Sequence, residues 1–359
     1  MKKYIQYLFK NAFLETVIIS SVTLLANIFI VYLDRNSYAR FNLYNGVWRY
    51  SVPSSFAIML MITLTISLIV ILLLRVYKLK SKDYKDVIYA LPIARNKLVL
   101  SHLIVGFIQV LIVMTITFIG TTVVFYFLSN KAFNMGLIWL TYAALLLLLI
   151  ILFGLMQLII FRSNNIIDAA GLVFAYFILS FLIMYTIPAF KYGYNISNLG
   201  FNEMVIYPYY SAVEWMMYLL NQATPPYTGE YILMMTENDV LVVVVHAIIY
   251  VVLSTFCVWY VVNKSKTDKV ENIGGVTTSG IGYKVINPLI ILFSSMLLFI
   301  LNYESLTSLI FLLPMLLSVY YVMYIIYRRK FRISKYDYLV VGVTILISSL
   351  IVYITYALI

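Results

Sequence analysis

Leu137-Ile-Trp-Leu-Thr-Tyr-Ala-Ala-Leu-Leu-Leu-Leu-Leu-Ile-Ile-Leu-Phe-Gly-Leu-Met-Gln-Leu-Ile-Ile-Phe161 contains no charged residue. A bilayer core about 30 Å thick asks for about 20 apolar residues per helix, so this stretch alone reads as a membrane span. Similar segments recur on both sides of it: Thr16 to Leu33, Ser54 to Val76, Leu98 to Leu128, Asp168 to Ala189, Val240 to Val262, Pro288 to Leu301, Leu306 to Tyr327 and Tyr338 to Ala357. The pattern predicts an all-α, polytopic integral membrane protein with nine spans. Eight or ten crossings also fit, because the third segment is long enough to tilt or to include a turn and the seventh is short enough to be re-entrant. With 64% apolar and 11% charged residues, the chain cannot present a water-soluble surface.

The basic residues fix an expected orientation. With the N-terminus inside, Lys2, Lys3 and Lys10, the seven from Arg75 to Lys97, Arg162, the four from Lys264 to Lys284 and the five from Arg328 to Lys335 face the cytoplasm. Only Arg35, Arg40, Arg49, Lys131 and Lys191 fall outside. This is the asymmetry of the positive-inside rule. The net charge of +11 therefore calls for no nucleic-acid partner. No small-residue cleavage site follows the first apolar run, so Met1 to Leu33 reads as mature structure and not as a signal peptide. Cys257, alone of its kind, excludes an internal disulfide and a cysteine-based metal cluster.

Several chemistries lack their residues. Ion-coupled transporters place ionisable groups near the bilayer midplane, because such groups are costly there unless they function. Here Glu15 and Asp168 sit at cytoplasmic ends, His102 lies near the start of the third span, and only His246 is well inside one. No HExxH, paired glutamates or nucleophile with its base stands out, so the chain itself is expected to be no enzyme and to bind no metal. Gly274 to Gly280 has the glycine spacing of a phosphate loop, but Ile281 and Gly282 stand where Lys and Ser/Thr are needed. That stretch reads as a flexible linker. Any nucleotide is bound by another chain.

Two segments carry positive signals. Tyr4, Ile5, Leu8, Phe9, Ala12 and Phe13 fall at helical spacing, predicting an amphipathic helix over residues 1–15 that either lies in the inner interface or extends the first span. Between the second and third spans, Ser81 can cap a short helix with Asp83 in its first turn, and Pro92 marks its end. Asp83, Tyr84, Asp86, Val87, Ile88 and Leu91 then combine an apolar stripe with flanking charge, suited to docking in a groove on a soluble partner. A basic loop skimming lipid headgroups is the plainer alternative.

The phrase Asp86-Val-Ile-Tyr-Ala-Leu-Pro-Ile-Ala-Arg-Asn-Lys-Leu-Val-Leu-Ser-His-Leu103 resembles a stretch in the permease subunits of ABC-2 type transporters: a coupling helix, a Leu-Pro, a basic residue and the start of the third span. Ala94 stands where that family commonly has Ser or Thr. An N-terminal interfacial helix, a six-span core over 16–262 and a long outer segment at 191–239 fit the same resemblance. Beyond them come a linker at 263–287 and about three accessory membrane segments at 288–359.

The resemblance implies a role without bond chemistry. Two permease chains, identical or not, pair in a bacterial plasma membrane, and each presents residues 81–92 to a separate ABC ATPase that binds ATP and Mg. This chain binds no cofactor. Closure of the ATPases tilts the second and third spans and moves a hydrophobic or amphipathic cargo outward: a peptide, a lipid or a drug-like compound. Polar positions in the spans, Asn27, Thr63, Ser67, Tyr176, Ser180 and Tyr185, are candidates for the route; ordinary interhelical hydrogen bonding is their commoner role. The tyrosines, Trp215 and methionines of the outer segment fit both a bilayer surface and an exit for amphipathic cargo. A membrane scaffold or sensor that recruits a regulator, and a secondary transporter using His246, remain alternatives.

Overall fold

A computed structural model of the chain describes residues 1–33, 41–44, 47–50, 54–80, 90–128, 135–192, 237–267, 282–301, 306–328, 331 and 334–358. Among the described residues, nine helices follow the nine apolar segments: α1 (Lys2–Leu33), α2 (Ser54–Lys80), α3 (Arg95–Leu128), α4 (Met135–Arg162), α5 (Ile166–Tyr192), α6 (Glu237–Lys264), α7 (Tyr283–Leu301), α8 (Leu306–Arg328) and α9 (Lys335–Leu358). Among the described residues eight of them are long and apolar enough to cross a membrane; α8 contributes a shorter apolar stretch, Leu312–Ile325. The chain is thus a multi-pass, all-α membrane protein. Among the described residues the one departure is an antiparallel hairpin of β1 (Phe41–Tyr44) and β2 (Val47–Tyr50), with Leu43 opposite Trp48 and Tyr44 opposite Val47.

The N-terminal segment does not form a separate element. Residues 2 to 33 make one helix of 32 residues, about 48 Å at 1.5 Å per residue, so it passes the bilayer core and projects beyond it. Part of its apolar stripe is covered by protein: Leu8 and Ala12 pack with Val105 of α3, flanked by Tyr4, Ile5 and Phe9, whereas Phe13 is exposed. The seventh segment also grows. α7 begins at Tyr283, giving 19 residues, with Pro288 one turn inside at the loss of one backbone hydrogen bond. Tyr283, Ile286 and Asn287, which read as linker, are buried. Gly171 of α5 makes room for Tyr283: a methyl group there would stand 2.4 Å from its hydroxyl.

The chain divides into two compact units. The first holds residues 1–79, 84–158 and 205–268, and the second 80–83, 159–204 and 269–359. Compactness thus groups α5 with the C-terminal helices, across the division at residue 262 that the linker suggested.

In the first unit, interhelical bonds fix direction as well as contact. Glu15 meets Arg75 and Lys78, and Asn27 meets Thr63, so α1 and α2 run antiparallel. Tyr4 with His102, Thr16 with Gln109 and Thr23 with Thr117 climb together, so α1 and α3 run parallel. Phe107 on Phe153 and Thr115 with Tyr142 set α4 antiparallel to α3. α1 turns Leu8, Ala12, Thr16, Ser20, Thr23, Asn27 and Val31 inward at helical spacing. This small and polar stripe lets backbones approach where lipid supplies no hydrophobic drive for association.

In the second unit α7 is the hub. Thr186 of α5 donates to the Phe293 carbonyl at 3.3 Å, Ser294 lies 2.5 Å from the Tyr320 hydroxyl of α8, and Ser295 donates to Ser348 of α9 at 2.7 Å. Ala189, Met296, Ile300 and Val352 pack around these bonds. Ser334 and Asp337 cap the start of α9 reciprocally, the Ser334 hydroxyl donating to Asp337 at 2.6 Å.

Candidate functional site at the junction of α1, α2 and α3

At the basic end of the first unit the Glu15 carboxylate accepts from two cations of the last turns of α2. The Arg75 Nη2 reaches Oε2, and the Lys78 Nζ reaches Oε1 at 2.7 Å. Arg75 is 1% exposed, Glu15 25% and Lys78 30%, so the arginine is the buried member and the lysine the wet one. A guanidinium stays charged in a protein, and burying it costs several kcal/mol unless a partner compensates. Glu15 is that partner.

Polar groups of α3 surround the pair. The Arg75 stem lies against Gly106, whose missing side chain leaves the space: a methyl there would stand 3.3 Å from Arg75 Cγ. One turn towards the start of α3 from Gly106, His102 is fully buried with its Nε2 3.2 Å from the Tyr4 hydroxyl. One turn the other way, the Gln109 amide donates to Thr16 Oγ1 at 2.8 Å and to the Ala12 carbonyl at 3.3 Å. Arg75 Nε and Nη1, His102 Nδ1 and Gln109 Oε1 have no protein partner. Each of the three helices therefore contributes to the same polar cluster, and none can shift there without breaking charge-assisted or buried hydrogen bonds.

The connection between α2 and α3 leaves from this cluster. Residues 81–89, carrying Asp83, Tyr84, Asp86, Val87 and Ile88, lie outside the described residues. Its last part is described: the Ile93 N–H donates to the Leu91 carbonyl at 2.7 Å, a tight turn about Pro92, and the Leu98 N–H to Ala94 opens α3. Leu91 and Pro92 are exposed.

The route candidates fall in both units. Asn27 and Thr63 come together, the Asn27 amide donating to Thr63 Oγ1 and to the Thr23 carbonyl, both at 2.8 Å. Ser67 is buried and bonds back to Leu64 on its own helix. In the second unit, Tyr176 is half-buried, Ser180 is exposed and bonds back to Phe177, and the Tyr185 ring packs 4.5 Å from Phe181. The His246 side chain and residues 193–236 of the outer segment lie outside the described residues, as does the linker over 268–281 with its glycines. A slot between Leu64 and Leu68 of α2 and Leu145 and Leu149 of α4 has a cavity volume of about 10 Å³. That is the room of roughly one water.

The cluster around Arg75 was not among the sequence candidates. Its signal was a lone carboxylate in α1 and a basic pair three residues apart near the end of α2, which the topology count had already absorbed as loop charge. No protein-family model matches the chain, and no curated protein or solved structure matches it.

Proposed function

We propose that the chain is the membrane-spanning subunit of an ATP-driven exporter of the ABC-2 type, working as a pair of permease chains with separate ABC ATPase subunits in a bacterial plasma membrane. Support comes first from the resemblance around Leu91, Pro92 and Arg95. The observation that carries the reading is the exposed Leu91–Pro92 turn leading into α3, a helix bound through buried polar rungs to α1, which in turn holds the end of α2 through Glu15. A push on that connection enters both flanking helices where they are tied together. The chain makes and breaks no bond; ATP and Mg belong to the partner. Its cargo is hydrophobic or amphipathic, and transport follows from different affinities for it in two states. With the N-terminus in the cytoplasm, the basic connection faces the ATPase.

Gentle purification of the tagged chain from its native membranes tests this. Expected is an ABC ATPase in equal amount, lost on Leu91→Glu while the variant still inserts. Absence of an ATPase under conditions that keep other membrane complexes intact refutes the proposal and favours a scaffold that recruits a different partner.

A further inference from the structure

Lys80, the last residue of α2, does not join its neighbours on Glu15. Its ammonium donates to the carbonyls of Phe161 and Ser163, where α4 ends. The last four carbonyls of a helix lack intrahelical donors, and a cation at that end both fills them and opposes the helix dipole. The turn it grips is short and stiff. The Ser163 N–H bonds Ile159 at 3.2 Å and its hydroxyl bonds Ile160 at 2.6 Å, closing α4. Two residues on, Asn165 Oδ1 accepts the Asp168 N–H at 2.7 Å and its carbonyl accepts from Ala169 at 3.0 Å, opening α5. Phe161 and Ser163 are buried. Lys80 also falls with residues 159–204 in the compact division of the chain, although the rest of α2 falls with α1 and α3.

We infer that Lys80 is a positioning residue that carries a displacement of the α2–α3 connection into the α4–α5 turn. Three basic residues near the end of α2 thus divide one input: Arg75 and Lys78 deliver it to α1, and Lys80 to the joined ends of α4 and α5. The inference rests on the coupling role proposed above for that connection. A lysine suits the task, because its three donors engage two carbonyls at once and its stem follows them over a short movement.

The test uses the permease with its ATPase in lipid nanodiscs. In a Cys257→Ser background, which removes the single thiol, Ile167→Cys places a fluorophore on the first turn of α5, where the side chain is 75% exposed. In the otherwise unaltered protein, ATP should change the emission of this label. Lys80→Met should retain the ATPase and its basal hydrolysis, but reduce the emission change and cargo-stimulated hydrolysis about fivefold or more, the low end of allosteric coupling. Lys80→Arg should restore both. If Lys80→Met does not insert, Lys80→Gln, which keeps one amide donor, takes its place. An unaltered ATP response at Ile167→Cys with Lys80 replaced overturns the inference and leaves the exporter reading intact. Failure of the parent protein to bind any ATPase overturns both.

Discussion

Glu15→Gln isolates the charge of one carboxylate. The amide keeps the size of the side chain and one acceptor oxygen, but leaves Arg75, 1% exposed, beside a neutral group. Removing one partner of a buried ion pair costs about 3–5 kcal/mol. Glu15 is 25% exposed, so water screens part of the loss and the expected value lies near the lower bound, about 3 kcal/mol. Lys78→Met should cost much less, about 1 kcal/mol or under, because that cation is 30% exposed and its pairing is worth little in water. The double variant Glu15→Leu with Arg75→Met removes the charge together with its need. It should be more stable than Glu15→Gln alone, since apolar replacement of a whole buried pair is often neutral or better. The assay is reversible unfolding in mixed micelles, read by far-UV circular dichroism along an SDS titration. A Glu15→Gln protein within about 0.5 kcal/mol of the parent, or a double variant as damaged as the single one, would show that Arg75 finds its compensation elsewhere.

Two further outcomes concern packing. Gly154→Val should separate α4 from α6: even a methyl at residue 154 would lie 1.8 Å from the Ser254 hydroxyl and 2.8 Å from its backbone carbonyl, so the backbones must move apart. Disulfide trapping between cysteines introduced along the two helices should slow with Gly154→Val, and unchanged rates would contradict the close approach. Asn27→Ala and Thr63→Val should show a coupling energy of about 0.6 kcal/mol in a double-mutant cycle, the typical value for an interhelical hydrogen bond in a membrane. Strict additivity of the two would mean that they do not bond.

The helices were legible because a bilayer imposes one length and one composition on each of them. All nine apolar segments became helices, with ends that moved where buried side chains extended them, as Tyr283 and Ile286 extend α7. The hairpin was also legible and passed over: Asn45-Gly46 between Tyr44 and Val47 is a strong two-residue hairpin signal, masked by the polar composition expected of any loop between spans. The cluster at Glu15 was less accessible. Its bonded partners are 60 to 98 residues apart in sequence, and each has a sufficient local explanation: Arg75 as topology charge, His102 as a helix start, Tyr4 as part of an amphipathic stripe. Only the register between helices, set by side-chain packing along their whole length, turns them into one site. Of the route candidates, Asn27 and Thr63 lie within α1 and α2 and bond to each other. That they would meet each other depends on the same register.

The two attachments between α1 and α2 fall twelve residues apart on both helices: Glu15 to Asn27 on one, Arg75 to Thr63 on the other. At 1.5 Å per residue they are bolts about 18 Å apart along one strut. A single attachment would permit the helices to swivel about it. Two at matched spacing oppose both swivelling and sliding, since a shift of one turn, about 5.4 Å, would unseat both together. Work done on the end of α2 is therefore not absorbed as slippage against α1. Under the proposed coupling role, it would arrive at the far end of both helices as a change of tilt, scaled by the length of the pair on either side of its pivot.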